Sequence, residues 1–185
     1  MDLLGSLTEE HRLIVAVMSA LETFVTSIEA PNAIDNGELL RFVVFLSDFA
    51  DAWHHGREEQ VLIPAMTRHG YKPNSGVFAH IREQHRREKG LLIAWRHAAA
   101  ETAPWSAGQL ERFRGLTRDL LSLERAHIQQ ETDAFYPEAA KELALEPASL
   151  LHAAAAQFSE TQMSSEQVHW LERLGENLAI RHSAA

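Results

Sequence analysis

The 185-residue sequence predicts an all-α fold, an up-down-up-down four-helix bundle with additional C-terminal helices. Three observations carry that expectation. Apolar residues recur at helical spacing along almost the whole chain, and strict strand-like alternation is nearly absent. Turn signals divide the pattern into four long segments and two short ones. Segments of roughly 25 to 30 residues span about 35 to 45 Å, and short connections between them favour antiparallel neighbours.

The first helix is expected to start near Ser6, where Ser6-Leu7-Thr8-Glu9 has the form of a capping box. Its inner stripe is Ile14, Met18, Leu21, Val25 and Ile28, and it stops before Pro31. Asp35-Asn36-Gly37-Glu38 opens the second helix, which carries Leu39, Val43, Leu46, Ala50 and Val61 and runs to about Arg68. Pro64 lies inside that span and should kink or loosen its last turn. Residues Gly70 to Gly76, with Pro73 among them, form a loop. The third helix then presents Val77, Ile81, Leu92 and Trp95 and ends around Ala100. Ser106 to Gln109 caps the fourth, whose stripe is Leu110, Phe113, Leu120 and Leu123 and which Pro137 is expected to close. Two shorter helices follow, one after Pro147 and one after Ser164, the latter with Val168, Leu171, Leu174 and Leu178 as a seam. Residues 1–140 are read as the bundle, and residues 141–185 as a helical extension packed on it.

Composition narrows the function. Asp and Glu number 26 against 17 Lys and Arg, a formal charge of -9, so a protein that tracks a phosphate backbone, and hence a nucleic-acid partner, is not expected. Cysteine is absent, which removes disulfides, thiolate metal sites and cysteine nucleophiles together and fits a reducing compartment. No secretory leader is read, and no run approaches the roughly 20 apolar residues of a membrane span. A cytoplasmic location without a membrane partner is expected. No Gly-rich phosphate loop or Gly-x-Ser-x-Gly elbow competes for attention.

Histidine stands out, at eleven residues. The second and fourth helices echo each other: aligning Pro64 with Pro137 aligns His54 with His127 and Glu58 with Glu131. A His and a Glu four apart project from one helix face, where both reach one ion or bridge two. The first and third helices each add a histidine in line with their apolar stripe, His11 and His85. Four histidines and two carboxylates converging on a bundle interior are costly unless paired or metal-bound, and a metal accounts for all six together. Two alternatives stay open. His55 and Glu59 repeat the spacing one position later, although the line through His54 passes Val43, Ala50 and Val61 whereas that of His55 passes Arg41 and Asp48. His80 lies five residues before His85, too far round the helix for both to point equally well at one site. His69 adjoins the Gly70 turn and the carbonyls that end the second helix; His97, His152, His169 and His182 read as surface or satisfied residues.

Over residues 6 to about 140 these residues resemble the hemerythrin-like, or HHE cation-binding, family, whose order of His, His-x-x-x-Glu, His, His-x-x-x-Glu is matched here by His11, His54 to Glu58, His85 and His127 to Glu131. The resemblance implies a non-haem centre of two iron ions in the bundle core, with Glu58 and Glu131 bridging, the histidines as terminal ligands, and oxo, hydroxo or water completing the set. Where the classical oxygen carriers of that family place two histidines four apart on the third helix, this chain has Gln84 one residue before His85. Nitrogen and oxygen donors also suit zinc, manganese or nickel.

Six donors are fewer than two octahedral ions require, which leaves room for solvent or a small ligand walled by Met18, Leu21, Trp53, Leu92 and Trp95. The leading expectation is a protein that binds or senses dioxygen or a related small oxidant, or handles iron. A second is an enzyme consuming peroxide, nitric oxide or oxygen, with Glu88, one turn beyond His85, a proton carrier if it faces inward and otherwise a solvated surface residue. A third is an interaction domain with a structural metal, using the C-terminal helices to form a homodimer or hold a protein partner.

Overall fold

The computed structural model describes residues 2–72, 74–101, 104–144 and 147–183, so Pro73 lies outside the described residues. It is an all-α bundle of four long antiparallel rods with two further helices, and the described residues contain no strand. Helix α1 spans Leu3–Ser27. It starts three residues earlier than expected because Asp2 is the cap, its carboxylate accepting from Gly5 N–H at 2.7 Å. A short 3₁₀ turn at Pro31–Ala33 leads to the second rod, a continuous helical path over residues 36–68. Asp35 caps it, accepting from the Glu38 N–H at 3.0 Å. Helix α4 (Gly76–Ala99) is the third rod. The fourth begins with α5 (Ala107–Gln130) behind the expected Ser106 and Gln109 capping box.

The second and fourth rods are not plain α-helices. The second consists of α2 (Asn36–Val44), two π-helical segments at Phe45–His55 and Glu58–Leu62, and α3 (Ile63–Arg68). The fourth continues from α5 through a π-helical segment, Glu131–Phe135, into α6 (Tyr136–Leu143). Pro137 therefore does not end the fourth rod; the chain widens ahead of it and continues. Proline lacks an N–H, and its ring crowds the carbonyl four residues back, Gln60 for Pro64 and Asp133 for Pro137. Inserting a residue into the turn relieves that crowding without breaking the helix. The two sites are equivalent: Ile63 N–H donates to the Glu58 carbonyl and Tyr136 N–H to the Glu131 carbonyl, each five residues back. The sequence echo is thus also an echo in backbone winding.

The core runs the length of the bundle. Leu7, Ile14, Met18 and Leu21 of α1 meet Phe42, Phe45 and Phe49 of the second rod, Ile81 and Trp95 of α4, and Phe113 of α5. Helices α7 (Ala148–Gln162) and α8 (Ser165–Arg181) lie on the outside of this assembly. The second packs on α1 and on the Phe45–His55 segment, burying Val168, Leu171 and Leu178, while α7 lies beside Glu58–Leu62. Two glycines allow the close approach. A methyl group at Gly175 would collide with the buried Phe45 ring, and one at Gly56 would lie 2.9 Å from Phe158 Cζ. Arg181 and His182 hold the end of α8 to Glu38, at 2.8 and 2.7 Å. No helix among the described residues is long and apolar enough to cross a membrane.

Candidate metal centre

The four rods bring all six sequence-predicted residues together in the interior. His54, Glu58, His127 and Glu131 are at most 1% exposed, and His11 and His85 are buried beside them. The donor atoms form two adjoining groups, each with all members within 4.8 Å of one another. His11, His54, Glu58 and Glu131 make one; His55, Glu58, His85 and His127 make the other. Glu58 belongs to both, and Glu131 reaches into the second, 3.3 Å from His127 Nε2 and 3.8 Å from His85 Nε2.

His54 and His55 are therefore not alternatives, because both imidazoles turn inward, to different groups. They sit in the wide Phe45–His55 segment, where each residue turns less than the about 100° of an α-helix, so neighbours in sequence share a face. Glu59 does not join Glu58; it lies at the edge and accepts from His85 Nδ1 at 3.0 Å. His80 is exposed, as are His97, His152 and His169, while His182 is engaged with Glu38. The backbone N–H of His69 caps α3 through the Met66 and Thr67 carbonyls.

Around the centre, other side chains hold the rings. Glu10 takes His54 Nδ1 at 2.9 Å and also accepts from Trp53 Nε1 and Arg57, leaving His54 Nε2 facing inward without a partner. Gln84 Oε1 stands 3.2 Å from His127 Nδ1. Tyr136 donates to Glu58 Oε1 at 2.6 Å and touches His11 Nε2 at 3.2 Å. A metal-binding imidazole characteristically gives its outer nitrogen to such a partner, which fixes its tautomer and aim. Of the expected wall residues, Met18 and Leu92 line a small cavity beside His55. Leu21 is fully buried in the core, Trp53 is tied to Glu10, and Trp95 donates to Thr117.

Buried donor atoms are left over. His11 Nδ1, His54 Nε2, both nitrogens of His55 and Glu131 Oε1 are buried without a hydrogen-bond partner, although few such atoms occur in folded proteins, and Glu58 Oε2 lies 3.2 Å from His85 Nε2. The Nε2 atoms of His85 and His127 face each other at 3.2 Å, a contact that needs a proton or a cation between two lone pairs. The donor set fits metal binding. A model of the hemerythrin HHE cation-binding domain matches residues 2–139. The chain belongs to that family. No curated protein and no solved structure matches it at a significant level.

Without metal, the groups of this hemerythrin-like centre divide protons unevenly. Burial opposes the charge on Glu58, but His54 and His85 outweigh it and hold that carboxyl well below its ordinary range. Glu131 goes the other way, pushed up by burial and by the charge of Glu58. Burial also opposes charge on His85 and His54, yet Glu58 and Glu59 raise His85 to about 9, and Glu58 and Glu10 raise His54. Burial and the His54 charge lower His11 to about 3, and burial with the His85 charge lowers His55 and His127. Protonated imidazoles at His54 and His85 thus offset the carboxylates, a role that cations can take over.

Sequence reasoning passed over Glu10, Tyr136 and Glu124, noted Gln84 only as a departure from the family pattern, and treated Glu88 mainly as a surface residue. Glu88 is buried, 4% exposed. A signal existed: Glu10 lies on the line Leu7–Ile14–Val17, Glu88 on Ile81–His85–Leu92, and Glu124 on Thr117–Leu120–His127, each an acid within an apolar stripe.

Proposed function

We propose that this chain is a dinuclear non-haem iron protein of the cytoplasm that binds or senses dioxygen or a related small oxidant, or handles iron. The observation that carries the reading is the pair of adjoining buried donor groups sharing Glu58. His11, His54, Glu58 and Glu131 would hold one ion, and His55, Glu58, His85 and His127 the other. Nitrogen and oxygen donors without sulfur suit iron, and the cysteine-free chain fits a reducing compartment. Bound iron supplies an exchangeable electron and a coordination position for a small ligand.

The chain's own residues do the rest. Glu10, Glu59 and Gln84 fix the rings of His54, His85 and His127. The aromatic and aliphatic core shuts out bulk water. A surface cleft of about 760 Å³, with Asp51, Glu59 and Glu83 on its walls, reaches His55 and His85 and provides a way in. The Tyr136 hydroxyl, against Glu58 and His11, is a hydrogen-bond donor at the centre. That hydroxyl is the specific support for a second reading, an enzyme that consumes peroxide, nitric oxide or oxygen.

Metal analysis with an ultraviolet-visible spectrum of the reduced, iron-loaded protein before and after exposure to air tests the proposal. Two irons per chain and an absorption change on oxidation are expected, with at least one ion lost in His127→Ala and in Glu131→Ala. Protein that takes up no transition metal, or whose metal content ignores both substitutions, overturns it. Oxidant consumption that scales with iron content assigns the enzymatic reading.

A further inference from the structure

Next to the dinuclear centre stands a third group of donors, of which it uses only His55. Glu88 of α4 and Glu124 of α5 face His55 from two different rods, with His55 Nε2 3.6 Å from Glu88 Oε2 and 3.9 Å from Glu124 Oε1. One donor atom from each lies within 4.8 Å of the others. All three are at least nine-tenths buried, and both His55 nitrogens, both Glu88 oxygens and Glu124 Oε1 have no hydrogen-bond partner. Two carboxyl groups and an imidazole in an apolar interior with so little hydrogen bonding are expensive for a folded chain to keep.

The surroundings are shaped for a small guest. A cavity of about 20 Å³ opens beside these residues, with Met18, Leu92 and Leu120 on its apolar side. That is room for one water-sized occupant and no organic molecule. Asp51 and His55 line both this cavity and the surface cleft, which places the group between solvent and the dinuclear centre. Lys89, the nearest basic side chain on the lining, is directed to Asp51 at 3.7 Å.

We propose that His55, Glu88 and Glu124 form a third cation site, which takes a divalent first-row transition ion such as Fe²⁺, Mn²⁺ or Zn²⁺ arriving through the cleft. One imidazole and two carboxylates match the hardness of these ions and neutralise the charge of one of them. His55 is shared between the two positions: its Nε2 faces Glu88 and Glu124, and when it serves the third position the neighbouring ion keeps Glu58, His85 and His127. The proposal uses the dinuclear reading for its position and binds its ion through His55, Glu88 and Glu124, of which that reading uses only His55.

The test uses the full chain and Zn²⁺ as the probe, chosen because it is redox-silent. Binding stoichiometry at controlled free Zn²⁺, with anomalous diffraction from Zn-soaked crystals, is compared for wild type and Glu88→Gln/Glu124→Gln. Three ions are expected in the wild type, one of them between residues 55, 88 and 124, and two in the double variant. A wild type that saturates at two, with no anomalous density at residues 88 and 124, overturns the third site and leaves the dinuclear reading standing. Density at residues 88 and 124 but none around Glu58 and Glu131 does the reverse. A third equivalent that persists in the double variant also overturns the proposal. If that variant does not fold, the wild-type anomalous map decides alone.

Discussion

Glu10 sets the direction of the His54 ring, because it is the hydrogen-bond partner of Nδ1 while Nε2 has none. Removing such an outer partner typically costs 10- to 100-fold in metal affinity. Glu10→Ala should therefore weaken binding by about that factor in a competition titration, while circular dichroism shows the helices intact. The protons held in the metal-free centre lead to a second expectation. His54, His85 and Glu131 are all raised and must release protons when cations arrive, so protons compete with metal and affinity falls as pH falls. With His85 at about 9, affinity should still be rising between pH 7 and 9, and binding in weak buffer should release measurable acid. An affinity flat over that range would contradict the charge distribution. His11, His54, Glu58, His85, His127 and Glu131 were readable from spacing, since four-residue intervals and apolar stripes are properties of one helix. The pairing of Glu10 with His54 and of Gln84 with His127 joins different helices 44 and 43 residues apart in sequence, and no local period encodes it.

The widened turns explain where helix geometry read at 3.6 residues per turn goes astray. It set His54 against His55 as rivals, but the Phe45–His55 segment turns both inward and so supplies a fifth imidazole. Pro64 and Pro137 were readable as disturbances, but a proline can kink, end or widen a helix, and the outcome depends on what lies across from it. Here each widened turn begins at a carboxylate of the centre, Glu58 or Glu131. Pro137→Ala should let the fourth rod relax toward α-helix and move Glu131 off its position. We expect metal-free protein that is more stable, by up to about 3 kcal/mol, since an interior proline is lost. Metal binding should weaken at the same time. Thermal melts with and without metal check the two signs separately, and a variant that gains both stability and affinity would show the widened turn to be incidental.

The four-rod bundle was readable throughout, because its core is built from stripes that each helix carries on its own. The seating of α7 and α8 was readable only as apolar surface needing cover; the partners, Phe45 for Gly175 and Phe158 for Gly56, are set by close approach between distant segments. Gly175→Ala should cost about 1–3 kcal/mol of stability in denaturant unfolding, since the Phe45 ring is fully buried and has nowhere to move. A neutral result would mean that α8 lifts away at little expense. The notch at Gly56 adds something else. Phe158 fills it, stacks obliquely on Trp53 with ring centroids 5.6 Å apart, and so presses on the stretch of chain that ends in two adjacent imidazoles. A displacement of the tail would thus reach the two imidazoles through a single phenyl ring.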